Sequence, residues 1–513
     1  MRAGDSVIGR RSFVYLAFRL VISLLGFVGL YFMTRYLGTE NYGAIMFAMS
    51  VVATFNAVSD LGFGSAHVKK ISEGKDISDS VSTYIVIKIV LTAMMVIVTV
   101  IGLLFWQTFM GGRIDGPTGS LVILFILYYA LYNLTSIVTT TYSATMEMFK
   151  CQLVGFIDPI IRIPLVAIVC LGSASAIGVA YAYVGGALAA MSLAMLLLFR
   201  DKVKLKRPTL YREYLSFALP LALIGVIGSV AGNMDKLMLG FYYGNSAVGT
   251  YSAAQVFMSI FALVGSAVAT MTFPSFSKMH TDGNMEEIRS TTWQAERYIS
   301  MIGMPITALI VLFPTETARV MLGSNIAGAG DPMRFMALTT MLVLLNQVHS
   351  SQILAVNRPD LSAKVTMATF LVNFALLVIF VPASFLGIPA LGLSYEGAAV
   401  AILIGNAIMW VVMRYIVWRL TGTGSNVRIL LHVLAAIVAG LALIPLAYDI
   451  PLGGWLQMII WGAYTLTIFL GVLTLLNEFD RDDLNYFLSI LSVRELWEYF
   501  RAEMKLGKGK ANQ

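Results

Sequence analysis

Charge is scarce in this 513-residue sequence. Asp, Glu, Lys and Arg together make up 12% of it, about half the ~25% of a soluble globular domain. Apolar residues reach 58% and the mean hydropathy is +0.80, which excludes a soluble domain. Histidine occurs four times and cysteine twice. Cys151 and Cys170 fall at opposite ends of one predicted helix, roughly 28 Å apart at about 1.5 Å per residue, beyond the reach of a disulfide. The sequence has no C-x-x-C, H-E-x-x-H or Walker-type glycine loop, so no metal or cofactor is expected. An ATP-driven pump acting by itself is not expected either. A small-residue cleavage site after the first apolar run is also missing, so that run reads as a retained span and not a signal peptide.

In place of these features stand about fourteen apolar stretches of roughly twenty residues, each long enough to cross a bilayer as a helix. They lie near 13–34, 42–66, 81–105, 119–143, 153–172, 176–199, 214–242, 247–276, 293–313, 333–356, 362–382, 394–418, 427–447 and 455–476. The fold class is therefore all-α and polytopic. The formal charge of +7 is carried by short loops and tails, where topology determinants belong, and nucleic acid is not an expected partner. With the N-terminus inside, Lys69, Lys70, Lys75, Lys150, Arg200, Lys204, Arg358 and Arg428 gather on one side. Little beyond Arg35, Arg113, Arg319 and Arg334 remains on the other. An even number of spans puts both termini in the cytoplasm of a plasma-membrane protein.

The basic run RDKVKLKRPTLYRE divides the chain. Residues 1–199 form an N-lobe of spans 1–6, 200–213 a cytoplasmic basic linker, and 214–418 a C-lobe of spans 7–12. Spans 13 and 14 occupy 419–477, and 478–513 form a cytoplasmic interfacial helix and basic tail. In that last segment the apolar spacing over Asp482 to Phe500 suits a helix on the membrane surface, followed by Lys505, Lys508 and Lys510 near anionic lipid. An internal repeat supports the two lobes. Gly38 and Gly43 in RYLGTENYGAI correspond to Gly244 and Gly249 in FYYGNSAVGTY, each after the first span of its lobe. Polar turns at Glu147 to Gln152 and at Asn357 to Asp360 likewise each follow a fourth span. Repeats of an even number of spans share one orientation, related by an axis along the membrane normal.

A charge near the bilayer centre costs about 2.5 to 3.5 kcal/mol and so faces a cavity or a partner. The cations in this position are Arg19, Lys88, Arg162 and Lys236, the candidate substrate-binding residues. Arg162 lies near the middle of the fifth span between Pro159 and Pro164, with Asp158 one turn earlier; it either pairs with Asp158 or lines a cavity. Arg19 and Lys88 sit roughly 10 Å from a cytoplasmic end, within snorkelling reach. Asp60, in NAVSDLGFGS at the end of the second span, is opposed by the dipole of a helix C-terminus. It needs a cation, and Arg19, Lys69 and Lys70 are the candidates. Asp235 and Lys236 interrupt a seventh span kinked by Pro220 and point about 100° apart, too far round the helix to neutralise each other. His349 titrates near neutral pH when unperturbed, or serves only to bond a neighbouring helix. Asp60, Asp158, Asp235 and His349 are the candidates for ion pairing or coupling.

The second lobe offers mainly Asn346, Gln347, His349, Gln352, Asn373 and Asn406, with Glu296 and Arg297 read as a topology anchor. A cavity lined by the first lobe and span seven is therefore cationic, suited to a phosphate or pyrophosphate head group through charge-assisted hydrogen bonds.

RYLGTENYG, SDLGFG, AVNRPD and MDKLMLGFYYGNSAVGTYSAA, in this order along nearly the whole chain, resemble the polysaccharide transporter family. These are O-antigen-type lipid-linked oligosaccharide flippases of the multidrug, oligosaccharidyl-lipid and polysaccharide exporter superfamily. The resemblance implies two six-helix lobes plus two helices, and alternating access that moves a polyprenyl-linked sugar outward. It further implies membrane lipid and a lipid-linked oligosaccharide as partners, coupling to a proton or sodium ion, and glycan assembly enzymes as neighbours. A lipid II-type flippase is the nearest rival. A cation-coupled multidrug or toxin antiporter usually has twelve spans and an acidic first lobe, where this chain carries Arg19. An enzyme is not expected, because the outer connector Pro314 to Pro332 has no nucleophile and base pair. A non-transporting scaffold would leave the buried charges purely structural. The inferred topology requires a cysteine substituted for Lys204 to be shielded from impermeant thiol reagents in intact cells; labelling there would overturn it.

Overall fold

The computed structural model describes residues 3–109, 116–201, 205–424, 426–449, 454–481 and 483–484. Lys204, Arg113 and nearly all of the expected interfacial helix and tail lie outside the described residues. Ten of the described helical segments are long and apolar enough to cross a membrane, and the chain is a multi-pass membrane protein. In order, the helices are α1 (Ala3–Tyr36), α2 (Gly38–Asn56), α3 (Phe63–Ser72), α4 (Ile77–Phe109), α5 (Gly116–Ala144), α6 (Met148–Gly172) and α7 (Ala176–Arg200). Next come α8 (Tyr211–Ala231), α9 (Met234–Thr281), α10 (Met285–Leu312), α11 (Pro314–Leu322), α12 (Gly330–Ala355), α13 (Pro359–Phe380) and α14 (Ser394–Thr421). The last two are α15 (Ile429–Asp449) and α16 (Gly454–Leu475). A two-residue β-hairpin, β1 (Ser384–Phe385) with β2 (Ile388–Pro389), decorates the α13–α14 connection.

Every apolar stretch of the sequence coincides with helix, and two of them are broken. The second passes from α2 through a 3-10 turn over Ala57–Ser59, and the chain then reverses through Leu61 (φ 46°) and Gly62 (φ 83°) before α3 begins. In the seventh, the break lies at Gly232 and Asn233, between α8 and α9 and just before the charged pair that interrupts the span in sequence. Gly232 caps the first helix, and Asp235 in the next first turn complements the new N-terminal dipole.

By packing, the chain separates into two compact units, the first running to Gly249 and the second beginning at Thr250. In the first unit α5, α6 and α7 pack on one another, α1 packs on α6, and α8 lies against α2 and α3. Phe63, Tyr84, Ile137, Tyr214 and Ala218 form one of its buried cores. The linker is stitched to this unit. Lys206 Nζ reaches Asp76 Oδ2 at 2.8 Å, and the Lys206 N–H donates to Ser82 Oγ. The backbone N–H of Thr209 donates to Asp79. Hydrogen bonding from Lys206 holds the Asp76 carboxyl below its usual range, and Lys70 with Lys75 does the same for Glu213.

The repeat is realised in backbone geometry. Gly38 (φ 74°) and Gly244 (φ 79°) both take the left-handed region that glycine enters without a Cβ penalty. The two loops also meet inside the first unit. A methyl group on Gly43 would lie 1.7 Å from the Asn245 carbonyl oxygen, and one on Gly249 would lie 2.1 Å from the Thr39 carbonyl oxygen. Thr39 and Asn245 are themselves corresponding positions, so the contact is reciprocal. Ser246 Oγ donates to Thr39 Oγ1 across it at 3.1 Å. The later polar turns match as well. Met146 and Asn357 each have φ 61°, and the following N–H of Glu147 or Arg358 returns to the Tyr142 or Ile353 carbonyl, the Schellman way of closing a helix.

In the second unit α12 packs on α10 and α14, α13 on α14, and α15 and α16 on each other and on α10. Arg297 fastens the end of the last span. Its Nε donates to Glu478 Oε1 at 2.8 Å, its Nη1 donates to Asp483 Oδ1 at 2.7 Å, and its Nη2 reaches the Glu478 carbonyl. The residue read from sequence as an anchor for its own span thus clamps α10 to the segment after α16.

Gly43→Ala and Gly249→Ala should each destabilise the protein by about 1 to 3 kcal/mol, the usual cost of overpacking, because backbone and not a flexible side chain stands in the way. Gly26→Ala, which meets nothing within 4 Å, is the control; equal melting temperatures for all three variants would refute the close approach.

Candidate functional site

The break after α2 builds the first cluster. Asp60 caps the C-terminal end of the 3-10 turn, as its place in the sequence implies, and also precedes α3, so that Oδ1 accepts from the Gly64 N–H at 3.3 Å. The N-terminal dipole of α3 thus offsets the opposing one of the helix that ends at Asp60. Its cation is Lys88 of α4, with Nζ 3.0 Å from Asp60 Oδ1 and 3.1 Å from the Ser59 carbonyl. Lys88 does not snorkel, being 2% exposed, whereas the Asp60 side chain is half-exposed. Lys69 and Lys70 are engaged by Glu73, and Lys70 also by Glu213. An amide chain extends the cluster: Ser59 Oγ donates to Asn133 Oδ1 at 2.9 Å, and Asn133 Nδ2 donates to Asn56 Oδ1 at 2.8 Å.

The second cluster lies on α6. Arg162 and Asp158 form the intrahelical pair, Nη2 to Oδ2 at 3.0 Å and Nε to Oδ2 at 3.1 Å. Both side chains stay partly exposed. The guanidinium lies 4.4 Å from the Tyr183 ring centroid, and Tyr128 packs edge-on to Tyr183. Gly186 of α7 makes room, since a methyl group there would lie 2.5 Å from Asp158 Oδ1. The result is a cation held in a fixed pose by one carboxylate and one aromatic face, with donors left over for an anion.

Asp235 is buried and accepts from the Lys236 backbone N–H at 2.8 Å. Lys236 is half-buried and has no side-chain partner among the described residues. Arg19 lies on α1 with its side chain outside what is described. Among the described residues, no contact joins the Lys88, Arg162 and Lys236 side chains directly. Sequence reasoning also missed His67. It is buried in α3, with Nδ1 2.8 Å from Tyr214 Oη, Nε2 2.9 Å from Thr141 Oγ1, and its ring stacked on Tyr84. It ties α3 to α5 and α8, and a lone polar residue at an apolar helix end gave little signal of that.

The second unit is not free of buried charge, contrary to its reading from sequence. Glu296 of α10 is 0% exposed, and its Oε1 receives Arg414 Nη1 of α14 at 2.5 Å. His349 of α12, 1% exposed, brings Nε2 to 3.0 Å from the same oxygen. Arg414 Nη1 also lies 3.2 Å from His349 Nε2, so the three side chains meet at one point between α10, α12 and α14. Glu296 Oε2 and His349 Nδ1 have no partner among the described residues.

The comparisons with known proteins agree with the resemblance read from the motifs. The family described as "Polysaccharide biosynthesis protein" matches residues 8–280. A probable low-salt glycan biosynthesis flippase of Haloferax volcanii is 24% identical over 395 residues, 75% of this chain and 78% of its own. Among solved structures, the lipid II flippase MurJ in an inward closed conformation superposes with a TM-score of 0.72 at 15% identity, covering 88% of this chain and 97% of that one. An inward-facing multidrug resistance MATE family transporter of the MOP superfamily gives a TM-score of 0.60 at 17% identity, over 79% and 96% of the two chains. These likenesses establish the fold.

Arg414→Met should destabilise the protein by about 3 to 5 kcal/mol, because it leaves a buried carboxylate unpaired. The double variant Glu296→Gln with Arg414→Met should recover most of that loss in thermal unfolding; an additive double variant would show that the two side chains do not act as a pair.

Proposed function

The chain belongs to the polysaccharide biosynthesis protein family, and we propose that it is a flippase that moves a polyprenyl-(pyro)phosphate-linked oligosaccharide from the cytoplasmic to the outer leaflet by alternating access. The observation that carries this reading is the state of the charges inside the spans of the first unit. Arg162 is pinned yet partly exposed, and Lys236 stands without a carboxylate partner among the described residues. A cation kept at membrane depth without full neutralisation is costly unless it meets an anion from outside the protein. A lipid-borne phosphate is such an anion, and arginine and lysine recognise it through charge-assisted hydrogen bonds.

Arg19, Lys88, Arg162 and Lys236 hold the phosphates on this reading, and the glycan occupies the wet side of the site while the lipid tail stays in the bilayer. Asp60, Asp158, Asp235 and His349 are the groups available for coupling to a proton or sodium ion. Asp60 is the best placed of them, because it is half-exposed and paired with a buried lysine. The protein sits in the cell membrane with both termini in the cytoplasm, alongside the enzymes that assemble its glycan, and performs no catalysis of its own. A lipid II-type flippase is the second reading, favoured by the extent of the structural likeness.

Arg162→Ala and Lys236→Ala should each reduce glycan export by about ten- to a hundredfold, the worth of one charge-assisted hydrogen bond at about 1.5 to 3 kcal/mol. Membrane insertion and melting temperature should stay near those of the unaltered protein for Lys236→Ala; undiminished export in both variants would defeat the proposal.

A further inference from the structure

The cytoplasmic end of α14 carries a pocket that no step above uses. It encloses about 450 Å³ and is lined by Trp410, Arg414, Tyr415, Trp418, Thr423 and Gly424. Trp410, Arg414 and Trp418 are spaced by four residues, so they share one helix face. Tyr415 and Trp418 are 53% and 51% exposed. They fall in the last two turns of a span whose end bears Arg419 and Arg428, the level at which aromatic rings and head groups meet.

The pocket is built and held. Arg414 is fixed from behind by Glu296, and its Nη2 reaches the Gly424 carbonyl at 3.4 Å. That carbonyl also accepts from Trp293 Nε1 of α10 at 3.0 Å, and Asn426 Nδ2 donates back to the Trp293 carbonyl at 3.2 Å. The floor is therefore tied to two helices. Beside the lining rings, Arg419 Nε donates to Tyr415 Oη at 3.1 Å, and its guanidinium lies 5.6 Å from both the Tyr415 and Trp418 ring centroids. Arg419 makes no ion pair among the described residues. Arg414 is paired with Glu296, so the positive charge on offer next to the pocket is that of Arg419, held in place by two of the lining rings.

A planar guanidinium with free N–H groups, set beside ring faces at the membrane surface, matches a phosphate esterified to an apolar chain. The phosphate takes Arg419, and the first methylenes lie against Trp418 and Trp410. We propose that this pocket seats the phosphate of a lipid in the cytoplasmic leaflet. None of the cations of α4, α6 and α9 lines it. The phosphate can belong to an ordinary anionic phospholipid or to a polyprenyl carrier, and the chemistry is shared.

The test is native mass spectrometry on the delipidated full-length protein in detergent, offered phosphatidylglycerol, phosphatidylcholine or a polyprenyl monophosphate. Phosphatidylglycerol should be retained over phosphatidylcholine, and Arg419→Gln should weaken its retention by about fivefold, as expected for one surface arginine. Trp418→Ala should weaken it as well; both side chains are exposed, so neither change should unfold the protein. Loss of polyprenyl monophosphate in the same variants would identify the carrier as a second occupant, whereas loss of phosphatidylglycerol alone would identify ordinary lipid. Equal retention of the two phospholipids, or retention unchanged in Arg419→Gln, overturns the proposal. Lys236→Ala should lower glycan export and leave phosphatidylglycerol retention intact, so failure here and failure of the flippase reading are told apart.

Discussion

Hydrocarbon cannot solvate an ion, and this constraint orders the whole protein. Each charge placed inside a span must be matched by another part of the chain or face something wet. Lys88 solves the problem by burial against Asp60 and the Ser59 carbonyl, Arg162 through Asp158 and the Tyr183 ring, and Arg414 through Glu296. These pairs join α4 to the break after α2, and α14 to α10, so they also decide which helices become neighbours. Only where a pair remains partly open, as at Arg162 and Asp60, does the same device become available to a ligand.

The backbone breaks serve that constraint. Starting α3 within a few residues of the helix end sets a second dipole against the first at Asp60, and the break exposes the Ser59 carbonyl as an acceptor for Lys88. The break between α8 and α9 puts Asp235 in a first turn, where its charge is welcome. In both places an interruption of a span creates the local field that a charged side chain requires, and the helices on either side keep their apolar faces.

Much of the fold was legible in the sequence, because spans longer than a bilayer and glycines in a fixed pattern are local signals. The repeat glycines marked real left-handed turns, and the polar turns before α6 and α13 proved to share one helix-closing geometry. The Asp158 and Arg162 pair was legible for the same reason, its members being one turn apart. Pairings that close over distance were not. Asp60 with Lys88 and Glu296 with Arg414 depend on which helices pack together, and no spacing along the chain encodes that. The helix start after Asp60 was not legible because a new helix beginning three residues later looks, in hydropathy alone, like the tail of the old one.

The meeting of Gly43 with Gly249 has a bearing on how such a chain could arise. Each loop offers the other the same carbonyl and the same bare Cα, so the patch is self-complementary, the property of an isologous interface in a two-fold dimer. One gene encoding a single copy of the repeat would already specify both sides of it. Duplication and fusion would then inherit the joint intact and would leave each copy free to diverge wherever it does not touch its twin.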